Sequence, residues 1–197
     1  MDRKYILSNY IFEKLTEKHD LSKFDCGADD LNDFLKNDAL KQQKENLNVT
    51  QLVICDNEII GFCSLLADTI KIKHIQDKKT IMPIKEKKPR VKQLPAVKIG
   101  RFAISIKYAN KGIGSHILRN VLHTIKITSQ KRIGVRVIVV EGYAKAYNFY
   151  VKHNNFNNLK KDDKKISRLE RIIKTNPYHS FYLYKDIKTI YSIMDTD

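Results

Sequence analysis

Apolar and polar positions along the chain repeat with two periods, one near 3.6 residues and one of 2, and the switches between them outline the elements. Leu31, Phe34, Leu35 and Ala39 recur at three- and four-residue spacing, with Asp30, Asp33, Lys36 and Lys41 off the stripe. This predicts a helix over 29–46, with Asp29 as its N-cap. Gln51-Leu52-Val53-Ile54-Cys55 reads as a strand, Asp56-Asn57 as a turn, and 59–65 as the hairpin partner. A third strand is expected over 96–104. Ile117, Leu118, Val121, Leu122 and Ile125 share one face of a helix running from Ile113 to about Ile127. Residues 135–140 are rich in β-branched side chains, as a strand buried on both faces is. A further helix is expected from Ala144 to about His153. A short amphipathic helix on Ile166, Leu169, Ile172 and Ile173 should follow, with a last strand over 180–184. Residues 74–92, punctuated by Lys and Pro, read as a long loop with little structure of its own.

The order is helix, hairpin, strand, helix, strand, helix, strand. That is an α/β or α+β fold, with a mixed sheet, parallel crossovers at its centre and flanking helices. No repeat and no Pro/Gly/Ser linker divides the chain, so one domain is expected over 1–197, with basic insertions at about 71–95 and 158–176.

Composition narrows the class. With 197 residues, 42% hydrophobic and 30% charged, the chain can bury a full core, which excludes wholesale disorder. No uncharged apolar run reaches the ~18 residues of a membrane span. The first residues lack an apolar h-region, so no signal peptide is expected. The three cysteines, Cys26, Cys55 and Cys63, are an odd number, which with no secretory signal points to reduced thiols in a cytoplasm. No Cys-x-x-Cys pair or His/Cys cluster has metal spacing, so no metal is expected.

Charge adds a partner. The formal net charge is +15, and it is clustered. Residues 71–98 carry ten Lys and Arg against two acidic residues, and 145–174 carry nine against three. Solubility and a Lys-rich composition explain part of this surplus, but the clustering favours a surface that faces a polyanion. Lys87, Lys88, Arg90 and Lys92 are the candidate nucleic-acid contacts in the first cluster.

Lys111-Gly112-Ile113-Gly114-Ser115 joins a strand to a helix. Two glycines allow close backbone approach, and the N–H groups of a helix's first turn favour an anion such as a pyrophosphate. It is neither a P-loop nor a complete Gly-x-Gly-x-x-Gly, and an ordinary loop opening a helix would look the same. Its flanks decide between the two. Ile99-Gly100-Arg101-Phe102-Ala103-Ile104, then Lys111 to Ser115, then Ala146-Tyr147-Asn148-Phe149-Tyr150-Val151-Lys152 with Phe156, resembles the acetyl-CoA-binding core of the GNAT superfamily of N-acetyltransferases. Phe24-Asp25-Cys26-Gly27 with Leu31-Asn32-Asp33-Phe34-Leu35 is similar to the opening of one branch, the toxins of toxin–antitoxin pairs that acetylate aminoacyl-tRNA.

The resemblance implies acetyl transfer from acetyl-CoA to an amine. Lys111, Gly112, Ile113, Gly114 and Ser115 would hold the pyrophosphate. Phe102, Ala103 and Ile104 would pair with the pantetheine, provided that strand splays from the one at 135–140, and the backbone N–H of Ile104 would face the oxyanion. Tyr150 would protonate the leaving thiolate, since a phenol with an ordinary pKa of about 10 is protonated at neutral pH. Its other reading is a core aromatic on a helix face. Arg101 is either a tRNA contact or a paired structural Arg. Glu141 is either a proton relay through water or a solvent-facing carboxylate at a strand end. Cys26 reads as a small buried residue before a helix. The resemblance also implies a homodimer and a ribbon-helix-helix antitoxin.

Two departures stand out. Ala109 occupies the place where the superfamily has Gln or Arg, and Asn154-Asn155 replaces the Gly before Phe156. Asn tolerates left-handed backbone angles, so either Asn can take the turn. Three functions therefore compete. They are acetylation of aminoacyl-tRNA, acetylation of protein or small-molecule amines, and a non-enzymatic RNA-binding module on a degenerate fold.

Overall fold

The computed structural model describes residues 1–75, 81, 92–159 and 163–190. Its strands are β1 (Ile11–Lys14), β2 (Val49–Cys55), β3 (Glu58–Lys71), β4 (Gln93–Ile104), β5 (Val137–Tyr143), β6 (Asn157–Asn158) and β7 (Ser180–Asp186). They form one seven-stranded sheet in the order β1-β2-β3-β4-β5-β7-β6. The β1–β2, β2–β3, β5–β7 and β6–β7 pairs are antiparallel. β4 and β5 advance in the same direction: Arg136 N–H donates to the Pro95 carbonyl at 2.9 Å, and Lys98 Nζ reaches Glu141 Oε2 at 3.0 Å. The sheet is therefore mixed, as the pattern predicts, with a crossover through the helix Ile113–Lys131. The chain divides into two compact units, Met1–Leu66 with Ile99–Leu118, and Ala67–Lys98 with Arg119–Asp197.

In the first unit, alternation along β2 sends Leu52 to one face and Val53 to the other. Leu52 joins Leu15, Phe24, Phe34, Leu35, Ala39 and Phe62. Phe62 meets Phe24 edge-on at 5.6 Å and Phe34 at 6.1 Å. Burying an aromatic of this kind stabilises by about 1.5–3 kcal/mol. Val53 faces Ile6, Cys55, Ile60, Tyr108, Ile113 and Ile117. The turn between β2 and β3 has φ of 49° at Asp56 and 60° at Asn57, the two left-handed residues of a type I′ hairpin.

The helix expected over 29–46 runs from Asp29 to Lys44, with a π-type turn at Phe34–Asp38 where Ala39 N–H returns to the Phe34 carbonyl. The extra residue in that turn lets Phe34, Leu35 and Ala39 all reach the core. Asp29 is not the cap: Ala28 takes that position with extended angles and no side-chain bond. The carboxylate that orders this corner is Asp25, whose Oδ1 accepts from Gly27 N–H and from Asn32 Nδ2, both at 2.8 Å. A helix at Arg3–Asn9 and the strand β1 were not legible in the pattern.

In the second unit, Val137, Ile138, Val139 and Val140 are all buried, which fits a strand covered on both faces. Val137 and Val139 pack with Ile70, Ile72, Leu94 and Tyr184. Arg136 and Asp186 form a forked ion pair between neighbouring strands, Nη2 to Oδ2 at 2.7 Å. Where an α-helix is expected over 144–153, a 3₁₀ turn (Ala144–Ala146) leads into a π-type turn (Phe149–His153). Asn154 Nδ2 donates to the Phe149 carbonyl at 2.7 Å, occupying an acceptor that a continuing helix would use. The amphipathic helix expected over 158–176 is two short helices, Asp163–Ile166 and Leu169–Thr175. The loop expected at 74–92 lies mostly outside the described residues.

Candidate active site

After β4 the chain makes a 3₁₀ turn (Ile106–Tyr108) and a short loop, then enters the helix at Ile113. Glu58 fixes that approach. It accepts from Tyr108 Oη at 2.7 Å, and both its oxygens accept from Lys107 Nζ at 2.9 Å. Burial pushes the Glu58 carboxyl up, but the bonds from Lys107 and Tyr108 outweigh it and hold the pKa below the usual range. Asn110 and Gly112 have φ of 58° and 72°, and these two left-handed residues turn the loop into the helix. Ile113 and Ile117 anchor it in the core. The first intrahelical bond runs from His116 N–H to the Gly112 carbonyl at 3.3 Å, so the amides of Ile113, Gly114 and Ser115 precede it. Amides of that first turn have no acceptor within the helix. Lys111 turns away from them: its Nζ donates to the Lys107 carbonyl at 3.1 Å and lies over the Tyr108 ring.

The end of β4 is oriented by β3. Ser105 N–H donates to the Ile60 carbonyl at 2.9 Å, and the Ala103 carbonyl stands 2.7 Å from where a Gly61 Cβ would be. Residues 103 and 105 thus direct their main-chain groups to β3, and by alternation Phe102 and Ile104 direct theirs the opposite way. Ala103 is buried, while Phe102 and Ile104 pack against the cluster that holds Ile113. The structure therefore brings Phe102, Ala103, Ile104 and the 111–115 loop together in one unit.

Tyr150 belongs to the other unit, in the π-type turn, and is buried. Its ring lies edge-on to Phe149 at 5.0 Å and to Phe156 at 5.6 Å. Gly142 of β5 lies beneath it, and a Cβ there would come within 2.9 Å of two ring carbons. Asn155, with φ of 54°, takes the left-handed turn, whereas Asn154 has φ of −124°. The buried ammonium of Lys185 donates to the carbonyls of Asn154 at 3.0 Å and Asn155 at 3.2 Å, closing the turn that carries Tyr150. Burial pushes the Lys185 pKa down. Neither Gly142 nor Lys185 stood out in the sequence. A lone glycine within a β-branched strand is the signal that marks a close approach.

Arg101 is exposed, donates to the Gly100 carbonyl at 2.8 Å and lies over the Phe34 ring at 5.2 Å. Glu141 is not at a strand end, because β5 continues to Tyr143, and it pairs with Lys98. Cys26 is half-buried, and burial raises its thiol pKa. Lys92 is exposed, and Lys87, Lys88 and Arg90 lie outside the described residues. An open cavity of about 680 Å³ is lined by Lys165, Arg168 and Arg171 of the second basic segment and by His179. Among the described residues no cluster of His, Cys, Asp or Glu is placed to hold a metal ion, and no helix is long and apolar enough to cross a membrane.

No protein-family model matches the chain. It is 24% identical over 178 residues, 90% of this chain and 93% of the other, to a tRNA-acetylating toxin of Mycobacterium tuberculosis. Among solved structures it is similar to the toxin AtaT complexed with acetyl-methionyl-tRNAfMet, with a TM-score of 0.72 and 22% identity, over 92% of this chain and 97% of that one. The chain has the GNAT-like fold. It is also similar to a tyrosine-to-phenylalanine mutant of AtaT bound to acetyl-CoA and the C-terminus of the antitoxin AtaR. That TM-score is 0.65 at 22% identity, over 92% of this chain and 96% of the other.

Proposed function

We propose that the protein is an acetyl-CoA-dependent N-acetyltransferase that acetylates the α-amino group of aminoacyl-tRNA and so blocks translation. The observation that carries this reading is the Gly112–Ser115 helix entry beside the outward-facing end of β4, in a chain similar over most of its length to a tRNA-acetylating toxin.

Acetyl-CoA supplies the acyl group as an activated thioester. The first-turn amides of residues 113–115 bind the pyrophosphate. The main chain of Phe102 and Ile104 pairs with the extended pantetheine. The amine nitrogen attacks the thioester carbonyl, and the Ile104 N–H donates to the oxygen that gains negative charge. As the C–S bond breaks, Tyr150 gives its phenolic proton to the sulfur. The attacking amine releases its own proton to water. An α-amino group with a pKa near 8 is partly neutral at pH 7, so it needs no strong base.

The basic segments and exposed Arg101 support a tRNA acceptor, because a phosphate backbone meets cations there. The antitoxin-bound AtaT supports an antitoxin partner, for which we propose a ribbon-helix-helix protein. A homodimer and a cytoplasmic location complete the proposal, the latter supported by three free cysteines.

The test is transfer of labelled acetyl from acetyl-CoA to charged tRNA, deacylated tRNA, polyamines and a protein extract in parallel. Label on charged tRNA alone is expected. Label on protein or amines would overturn the acceptor, and no label anywhere would overturn the enzyme.

A further inference from the structure

We propose that Arg3 binds the pyrophosphate of acetyl-CoA, supplying the cation that Ala109 does not. This rests on the reading of the 111–115 loop as the acetyl-CoA site. A Cβ built on Gly112 would meet Arg3 Nε at 3.6 Å and Nη2 at 3.7 Å, so the guanidinium lies over the glycine that opens the helix.

The fold holds Arg3 there. Ile6, one turn further along the same helix, is fully buried among Ile113 and Ile117. Tyr10 lies edge-on to His116 at 5.8 Å, Asp2 caps the helix, and Tyr5 Oη donates to Asp56 at 3.0 Å. These contacts fix the Arg3–Asn9 helix across the first turn of the longer one.

Its charge is also uncompensated. Among the described residues no carboxylate pairs with Arg3. It sits in the first turn of its helix, where a cation opposes the macrodipole, and the N-cap carboxylate of Asp2 is engaged by Tyr5 N–H at 2.8 Å. Lys107 is taken by Glu58, and Lys111 is turned back onto the Lys107 carbonyl. Arg3 thus presents a guanidinium at the loop. Its planar fork suits two oxygens of a diphosphate.

The experiment is calorimetric titration of wild type, Arg3→Ala and Arg3→Lys with acetyl-CoA and with acetyl-pantetheine, which lacks the pyrophosphate. Arg3→Ala should weaken acetyl-CoA binding by about tenfold or more, with acetyl-pantetheine affinity and melting temperature unchanged. Arg3→Lys should fall between. Unchanged acetyl-CoA affinity in Arg3→Ala, or an equal loss with acetyl-pantetheine, would overturn the role of Arg3. Wild type that fails to bind acetyl-CoA would instead overturn the reading of the loop itself, and this proposal with it.

Discussion

The Cβ that Gly142 lacks would stand 2.9 Å from both Cδ2 and Cε2 of Tyr150. Real Cβ atoms do not approach that closely, and the ring is packed against Phe149 and Phe156. β5 therefore sets where the phenol lies. Gly142→Ala should displace the ring by a fraction of an ångström and lower kcat by about 10- to 100-fold, with acetyl-CoA affinity within twofold of wild type. Steady-state kinetics beside calorimetry checks this, and an unchanged kcat would show that the ring's position does not govern the rate.

Asn155 holds a φ of 54°, and Lys185 closes the turn around it. Asn155→Gly should leave stability unchanged or slightly raised. Asn155→Val should lose about 1–2 kcal/mol, because a β-branched residue is strained in the left-handed region. Urea unfolding of the two variants measures the difference.

Much of this was legible beforehand. The stripe Leu31, Phe34, Leu35, Ala39 and the run Ile117 to Ile125 revealed their helices because each has a wide buried face. Asp56-Asn57 marked its turn because few residues accept two positive φ angles. The Arg3–Asn9 helix left no such trace: it has seven residues, of which only Ile6 is buried. The π-type turns were hidden because one inserted residue barely disturbs a 3.6 period. Around Tyr150, Phe156 was visible as a motif, but Gly142 contributes by lacking a side chain and Lys185 by burying a charge that usually reads as solvent-facing.

The Gly27 amide and Asn32 Nδ2 bond the Asp25 carboxylate, and hold its pKa below the ordinary aspartate range. The folded state thus binds this proton more weakly than the unfolded chain does. The stabilisation is present above an unfolded pKa of about 3.9 and is lost as pH falls through the folded value. Thermal melts of wild type at pH 3 and pH 6 should differ by more than those of Asp25→Asn, which can still accept both bonds. Equal differences would contradict the assignment.

The thiols should react in order of burial. Cys63 is buried and desolvation pushes its pKa up to about 12, whereas Cys26 is only half-buried. A thiolate-specific disulfide reagent at pH 8 should modify Cys26 first, more slowly than free cysteine, and reach Cys63 only on unfolding. Mass spectrometry of partially labelled protein reads the order directly.

In the proposed mechanism Tyr150 hands a proton to the departing thiolate during transfer to charged tRNA. The most direct measurement is single-turnover acetyl transfer to aminoacyl-tRNA by wild type and Tyr150→Phe, with acetyl-CoA affinity determined for both. Tyr150→Phe should reduce the rate by about 10²–10⁴-fold with affinity retained, since the ring's packing survives and the proton does not. Transfer by Tyr150→Phe at the wild-type rate would contradict it.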